Sequence, residues 1–381
     1  MVNKDSLDNN QWQIRCLEEV VDILDGMRKP IKKEDRVNGE IPYYGATGII
    51  DWVKDYIFNE PLILVGEDGE NLRSRVLPMA FKIQGKAWVN NHAHVLRPYK
   101  NIDIDYLTYY LDSISYEDYI TGSAQPKLNQ KQLRKVKVLL PHVREQQKIA
   151  SILSSVDKSI EKTTAIIEQT EEVKKGMMQQ LLTKGIGHTR FKKTEIGEIP
   201  EEWEVRTFSD VMVLQRGFDL PTHSRKEGQY PLMSANGLTD SHSEYKVEGP
   251  GIVTGRSGTI GKVHYIEANF WPLNTTLYVK EMYENNPKFL YYLLSNFRLE
   301  RFSTGTGVPT LNRNVVHTEK IALPSVDEQQ KIALILTNVD MRMIKEKQYL
   351  QELLNLKKGL MQSLLTGKVR VKVGEVEVSQ V

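Results

Sequence analysis

Residues Glu145 to Asp157 read EQQKIASILSSVD, and residues Glu328 to Asp340 read EQQKIALILTNVD. Ten of these thirteen positions are identical, at a constant offset of 183. The same offset aligns KKGMMQQLLT from Lys174 with KKGLMQSLLT from Lys357, and TGSAQPKLN from Thr121 with TGTGVPTLN from Thr304. It also pairs Leu140-Pro141 with Leu323-Pro324 and Trp88 with Trp271. Further upstream the offset becomes 189, so that Gly66-Glu-Asp-Gly69 faces Gly255-Arg-Ser-Gly258 and Ala46-Thr-Gly48 faces Ala235-Asn-Gly237; Trp12 pairs with Trp203 at 191. A repeat of this length is a duplicated domain and not a solenoid unit. The stretches following Glu145 and Glu328 are nearly copied, whereas most of the preceding residues have drifted. That distribution suits one shared frame carrying two different readers.

After Glu145, apolar residues fall at Ile149, Ile152, Leu153, Val156, Ile160, Ile167, Val173, Met177 and Leu181. The second copy gives Ile332, Ile335, Leu336, Val339, Leu350, Leu353, Leu360 and Leu364. Steps of three, four and seven build one apolar stripe along a helix. Pro141 and Pro324 precede the stripes, where proline is tolerated, and Asp327 is the expected N-cap of the second helix. About forty residues make a rod of roughly 60 Å, longer than a globular core needs. Each stripe therefore demands a partner, and the other copy supplies it as a coiled coil. Antiparallel pairing closes the two copies into a pseudo-two-fold object. Gly176 and Gly359 sit inside the helices at a cost of about 1 kcal/mol each relative to alanine. They read as sites of close helix approach or bending, or as notches for another subunit's helix.

Residues 12–140 and 203–323 read as mixed α/β heads. Runs such as Pro61–Val65 and Gly251–Thr254 suggest strands, and Leu107, Tyr110 and Leu111, matched by Leu290, Leu293 and Leu294, suggest a short helix in each head. Three polar turns recur: Gly45–Gly48 against Ser234–Gly237, Gly66–Gly69 against Gly255–Gly261, and the two TG…LN segments. Glycine-rich turns with hydroxyls bring backbone N–H groups to phosphates or carry side chains to base edges. Lys127, Lys131, Arg134, Lys135, Lys137 and Arg144 form a run with no acid between Asp118 and Glu145. It reads as a phosphate strip or as a solvated face. Arg298, Arg301, Arg313 and Lys320 are its thinner counterpart.

The 381 residues suffice for two cores, with 40% apolar and 26% charged residues. A formal net charge of +2 announces no whole-protein field for nucleic acid, so DNA contact must be local. One cysteine, Cys16, excludes an internal disulfide framework and reads as a small core residue. The polar N-terminus and the lack of an 18-residue apolar run lead to the expectation of a cytoplasmic protein with no membrane partner. Catalytic signatures fail. GRSGTIGK ending at Lys262 has Arg256 where a phosphate loop needs its first glycine and Val263 where it needs a hydroxyl. No HExxH, CxxC or GxSxG occurs. His92 and His94 form a strand pair, but Thr275 and Leu277 hold the matching places, so no metal site is expected.

The pattern L-P-x-x-x-E-Q-Q-K-I-A-x-I-L-x-x-V-D from Leu140 and again from Leu323 resembles the repeated regions of Type I restriction-modification specificity subunits. So do KKGMMQQLLTKG, KKGLMQSLLTGK, TGSAQPKLN and EIGEIPEEWEV from Glu195 to Val205. The resemblance covers nearly the whole chain. It implies an α+β fold: two mixed α/β target-recognition domains joined and separated by two long antiparallel coiled-coil helices, as a pseudo-two-fold internal duplication. The expected divisions are 1–140 for the first recognition domain and 141–185 for the first helix. Linker and second domain take 186–323, the second helix 324–368, and a tail 369–381. It implies a non-catalytic, sequence-specific subunit, each head reading half of a split double-stranded DNA target and the helices setting the gap. Two methyltransferase subunits would dock around the helices and use S-adenosylmethionine to methylate flipped adenines. Restriction subunits would add ATP- and Mg-dependent translocation and cleavage, and this chain would bind no cofactor. On this reading the DNA-contacting candidates are Thr47, Asn91, Ser123, Gln125, Lys127 and Lys131 in the first head. In the second they are Asn236, Arg256, Ser257, Thr259, Thr306 and Asn312. Gln146, Gln147, Gly176, Gln329, Gln330 and Gly359 are the docking candidates. Rival readings are a fused modification enzyme with divergent motifs and a coiled-coil scaffold with protein-binding heads.

Overall fold

The computed structural model describes residues 12–122, 125–304 and 309–372. It forms two compact units, one of Met1–Thr163 with Tyr349–Val381 and the other of Thr164–Gln348. The division between units falls inside both long helices, Val143–Lys184 and Val326–Leu364.

In the first unit a four-stranded antiparallel sheet runs Val21–Ile23, Ala93–Pro98, Leu62–Gly66, Ala80–Ile83. A second sheet runs Gly48–Val53, Asn38–Gly45, Lys86–Val89, Phe58–Asn59, with one parallel pairing at Tyr43 and Trp88. The continuous apolar run Leu-Ile-Leu-Val lets Leu62–Gly66 be buried along its whole length, as a strand covered on both faces must be. The second unit repeats the plan. Val213–Arg216, Thr276–Glu281, Gly251–Gly255 and Val263–Ile266 form its four-stranded sheet, and Gly237–His242, Tyr230–Ser234 and Trp271–Pro272 its second sheet.

The short helices are Ile104–Ser113, capped by Asp103 accepting from the Tyr106 N–H, and Pro287–Asn296, capped by Asn286 accepting from the Phe289 N–H. Each cap is tied to the start of a long helix. Gln146 Oε1 accepts from the Asp103 N–H at 2.9 Å, and Gln329 Oε1 accepts from the Asn286 N–H at 3.0 Å.

Each core is completed by two helical segments far apart in sequence. Ile149, Ala150 and Leu153 of the first helix join Leu364 and Leu365 beneath the first head. Ile332, Ala333 and Leu336 of the second helix join Leu181 and Leu182 beneath the second. Within either unit, then, the beginning of one long helix lies against the end of the other, and the pairing is antiparallel. A polar triad fixes its register. Asp157 accepts from Tyr109 Oη at 2.6 Å and pairs with Lys357 at 2.7 Å. Asp340 accepts from Tyr292 Oη at 2.7 Å and pairs with Lys174 at 2.6 Å. These are the aspartates that end the two EQQKIA repeats and the lysines that open KKG.

Three expectations are corrected. The second long helix starts at Val326, one residue ahead of Asp327, and Ser325 Oγ accepts from the Glu328 N–H at 3.4 Å; a hydroxyl three residues before a glutamate is the better cap. Val173 lies outside the seam, exposed to solvent, because it falls off the stripe's arc. Cys16 is half-buried at the end of the strand Gln13–Cys16 instead of inside the core.

A Cβ on Gly176 or Gly359 would meet nothing within 4 Å. Close approach within the chain is therefore not what these glycines serve. Gly176→Ala and Gly359→Ala should each stabilise the chain by about 1 kcal/mol. The urea midpoint should rise at unchanged slope. A fall would assign both glycines to a helix bend.

Candidate nucleic-acid interface

The three polar turns of each head meet at one place. In the second head the Thr259 hydroxyl donates to Asn236 Oδ1 at 2.6 Å, joining the first turn to the second. The Gly258 N–H donates to the Pro309 carbonyl at 3.1 Å and the Leu311 N–H to the Arg256 carbonyl at 2.8 Å, joining the second to the third. A Cβ on Gly255 would stand 1.6 Å from the Thr259 carbonyl oxygen, so only glycine lets this loop fold back. The first head repeats the ties between the second and third turns, and its first turn lies against the second, where a Cβ on Gly66 would stand 3.2 Å from the Ala46 carbonyl oxygen. The Gly69 N–H donates to the Pro126 carbonyl at 3.2 Å and the Leu128 N–H to the Glu67 carbonyl at 2.7 Å. Asp68 bridges Lys127 just as Ser257 bridges Thr310.

The side chains on this common frame differ. Glu67 is nearly buried and its oxygens are taken by Arg28 at 2.6 Å and Lys127 at 3.2 Å. It anchors the loop and does not offer an acceptor to a base. Asp68 is held by His92 at 2.8 Å. Beneath them His94 contacts Asp25 at 2.7 Å and the Leu128 carbonyl at 2.6 Å. Burial pushes the Asp25 carboxyl up, but His94, the Val95 N–H and Arg28 outweigh it and hold the group below its ordinary value. In the second head Arg256 takes the place of Glu67, half-buried, its guanidinium donating to the Asn274 carbonyl at 3.4 Å. His264 lies against Gly237, where a Cβ would come within 2.9 Å of its ring; burial lowers its pKa, and among the described residues its Nε2 has no hydrogen-bond partner.

Of the nominated residues, Thr47 and Asn236 are exposed at the tips of the first turns, and Asn91 and Gln125 are exposed. Ser257 and Thr259 are half-buried and Lys127 is exposed. Lys131 is exposed on the helix Gln130–Arg134, and Lys135, Lys137 and Arg144 are exposed beyond it, while Arg134 pairs with Glu18 at 3.6 Å. Asn312 is the N-cap of Arg313–His317 and accepts from the Asn314 N–H. Arg313 turns inward to Gln215 and the Leu214 carbonyl. Ser123 and Thr306 lie outside the described residues.

Two docking candidates are corrected. Gln146 and Gln329 are buried, and their amides are spent inside their own units: Gln146 on Asp103 and the Pro141 carbonyl, Gln329 on Asn286, Asn285 and the Pro324 carbonyl. They fasten head to helix and present nothing to a partner. Gln147, Gln330, Gly176 and Gly359 are exposed.

Sequence reasoning missed a second pair of fasteners. Glu145 accepts from Trp12 Nε1 at 3.2 Å, from Arg370 through two bonds of 2.9 and 2.8 Å, and from the Val371 N–H at 3.2 Å. Glu328 accepts from Trp203 Nε1 and from the Ile186 N–H, both at 2.9 Å, and contacts His188 Nε2 at 2.9 Å. The paired tryptophans and glutamates of the repeat were the available signal.

Among the described residues no helix is long and apolar enough to cross a membrane, and no group of His, Cys, Asp or Glu is placed to hold a metal.

The fold and sequence have close parallels. The chain is 27% identical to the Type I restriction enzyme MjaVIII specificity subunit of Methanocaldococcus jannaschii, over 95% of this chain and 93% of that protein. It is 28% identical to the putative MjaX specificity subunit of the same organism, over 95% and 94%. The crystal structure of the S subunit of a Type I restriction-modification system from M. genitalium superposes with a TM-score of 0.66 at 17% identity, over 97% of this chain and 99% of that one, and shows the same fold. The profile of the Type I restriction modification DNA specificity domain matches residues 9–172 and again 200–355. With both halves of the duplication matched, the chain belongs to the family of Type I restriction-modification DNA specificity proteins.

Proposed function

We propose that each three-turn cluster reads one half of a bipartite double-stranded DNA target, and that the long helices set the spacer between the halves. Two methyltransferase subunits gather around the helices. Restriction subunits complete the complex, which works in the cytoplasm. S-adenosylmethionine, ATP and Mg are used by those partners, and this chain contributes address, spacing and assembly. The observation that carries the reading is the doubled cluster: one backbone frame of ties, built twice, with Glu67 and Asp68 on one copy and Arg256 and Ser257 on the other. A scaffold with protein-binding heads has no need for two differently lettered copies of one glycine-rich frame.

The test is DNA binding by the complex assembled with its methyltransferase subunits. Arg256→Ala and Lys127→Ala should both weaken it. A side chain that grips phosphate should, when removed, weaken all sequences alike and lower the salt slope by about 1; one that reads a base should cost about 1–3 kcal/mol at one position only. Mapping of methylated adenines in cells carrying the variants separates the two cases. Unchanged affinity for both variants would remove these residues from the interface.

A further inference from the structure

The first head carries a loop that the second lacks. Between Gly69 and the strand Ala80–Ile83 lie the ten residues 70–79, whereas between Gly258 and the equivalent strand Val263–Ile266 lie the four residues 259–262. The change of repeat offset from 189 to 183 falls at this point. In the short loop Ile260 packs against the core. In the long one three consecutive apolar residues, Val76, Leu77 and Pro78, are exposed, Val76 at 81% and Leu77 at 50%. Such a run on a folded surface is an error unless it is used.

The loop is fixed outward. It is closed on the second turn at both ends: the Leu72 N–H donates to the Gly69 carbonyl at 3.2 Å, and the Gly66 N–H donates to the Met79 carbonyl at 3.0 Å. Asn71 clamps the tip, accepting from the Leu77 N–H at 2.8 Å and donating to the Leu77 carbonyl at 2.9 Å. Arg75, left-handed at φ 54°, donates to the Ile114 carbonyl at 2.5 Å and to the Asp112 carbonyl at the end of the helix Ile104–Ser113. Asp112 Oδ1 accepts from the Met79 N–H at 2.8 Å. Leu72 and Met79 are buried, so the tip stands on two core anchors. A slack loop would fold its apolar side chains back onto the head; this one holds them ready for an insertion.

The side chains of Val76, Leu77 and Pro78 have no polar atom, so they neither grip phosphate nor hydrogen-bond a base edge. The tip is also too small to dock a protein, since a stable interface buries about 800 Å² on each partner. One or two aliphatic side chains suffice, by contrast, to enter between base pairs and unstack them. We propose that this loop is a wedge, inserting Leu77 and Val76 at one base step in or beside the first head's half-site and kinking the duplex there. The proposal rests on the reading that the three-turn cluster binds duplex DNA. It adds a second means of readout to one head only: sequence sensed through the ease of deforming a step, with no base hydrogen bond.

The experiment scans 2-aminopurine, an adenine analogue that brightens when unstacked, through both half-sites and their flanks in duplexes bound by the chain assembled with its methyltransferase subunits. The adenines flipped for methylation brighten on their own account and report specific binding. A further rise should appear in one half-site only, with a bend of about 20–90° seen by end-to-end energy transfer. Val76→Ser with Leu77→Ser should abolish that rise and the bend. The flipped-adenine signal, the subunit stoichiometry and the urea midpoint should all persist, since both side chains are exposed. Val76→Ser alone should lower the rise partway should the double variant fold poorly. No rise away from the flipped adenines, equal rises in both half-sites, or a rise that survives the variants would overturn the proposal; a tip that merely touched a thymine methyl would give the first of these. Loss of a methyltransferase subunit from the double variant would hand the tip to that partner and overturn it too. A native complex with no flipped-adenine signal would instead remove the functional reading beneath the proposal, and that signal tells the two failures apart.

Discussion

Glu328→Ala should destabilise the second unit by about 3 kcal/mol, because it takes the charged acceptor away from one buried donor and two more exposed ones. The Trp203 indole is 1% exposed, and its N–H loses Glu328 Oε2 at 2.9 Å; the Ile186 N–H and His188 lose Oε1. A buried donor left unpaired costs about 1–3 kcal/mol, and removal of a charged acceptor adds to it. Glu328→Gln keeps one acceptor oxygen and should lose less. Hydrogen exchange should locate the damage at residues 186–203, and the urea midpoint should fall. A loss below about 0.5 kcal/mol would show that the fastener is ornamental. The equivalent Glu145 adds a pH signature. Burial pushes its carboxyl up, but Arg370, the Val371 N–H and Trp12 prevail and hold it below its ordinary 4.5. Folding therefore favours the ionised group. Its contribution is full above that value and is lost as the pH falls below it through the folded-state pKa. Glu145→Gln should remove that segment of the acid-unfolding curve while leaving the neutral-pH slope unchanged.

Periodicity made the frame readable. Steps of three and four are a property of neighbouring turns, so the long helices, the short helices and the buried strand at Leu62–Gly66 follow from local patterns. The constant offset of 183 made the duplication readable for the same reason. What pattern alone does not give is the use of a polar side chain whose partner lies far along the chain. Glu145 and Arg370 are 225 residues apart, Trp203 and Glu328 125 apart, and nothing local marks them as partners. The repeated glutamines after each glutamate read as exposed docking groups; burial of Gln146 against Asp103 and of Gln329 against Asn286 makes those two internal ties instead. The site shows the same division. Glycine turns and hydroxyls announced three loops per head, while the Asp25, Arg28, Glu67 and His94 network beneath one of them gathers residues from three separate strands and turns. The two heads diverge there because a frame fixed by backbone hydrogen bonds leaves its side chains free to change.

Lengthening both long helices by seven residues, between Ala165 and Ile166 and between Gln348 and Tyr349, should abolish recognition of the native target and create recognition of a longer one. The insertion points lie midway between the Asp157–Lys357 and Lys174–Asp340 ion pairs, so both triads are left whole. Seven residues keep the seam nearly in phase, drifting about 20°, and add about 10.5 Å of helix. At about 3.4 Å per base pair this equals a spacer longer by about 3 base pairs. Three base pairs also turn one half-site by about 100° around the duplex, so the native target can no longer present both halves at once. Binding to it should fall toward the non-specific level, a loss of about 10³-fold or more, while a target carrying the longer spacer gains. A four-residue insertion is the control. It throws the apolar stripe about 40° out of phase and should lower stability before it changes specificity. Methylation of a library of spacers reads the outcome directly. Were the seven-residue variant to stay folded and still prefer the native spacer, the helices would hold the heads without measuring anything, and the gap would have to be set by the partner subunits.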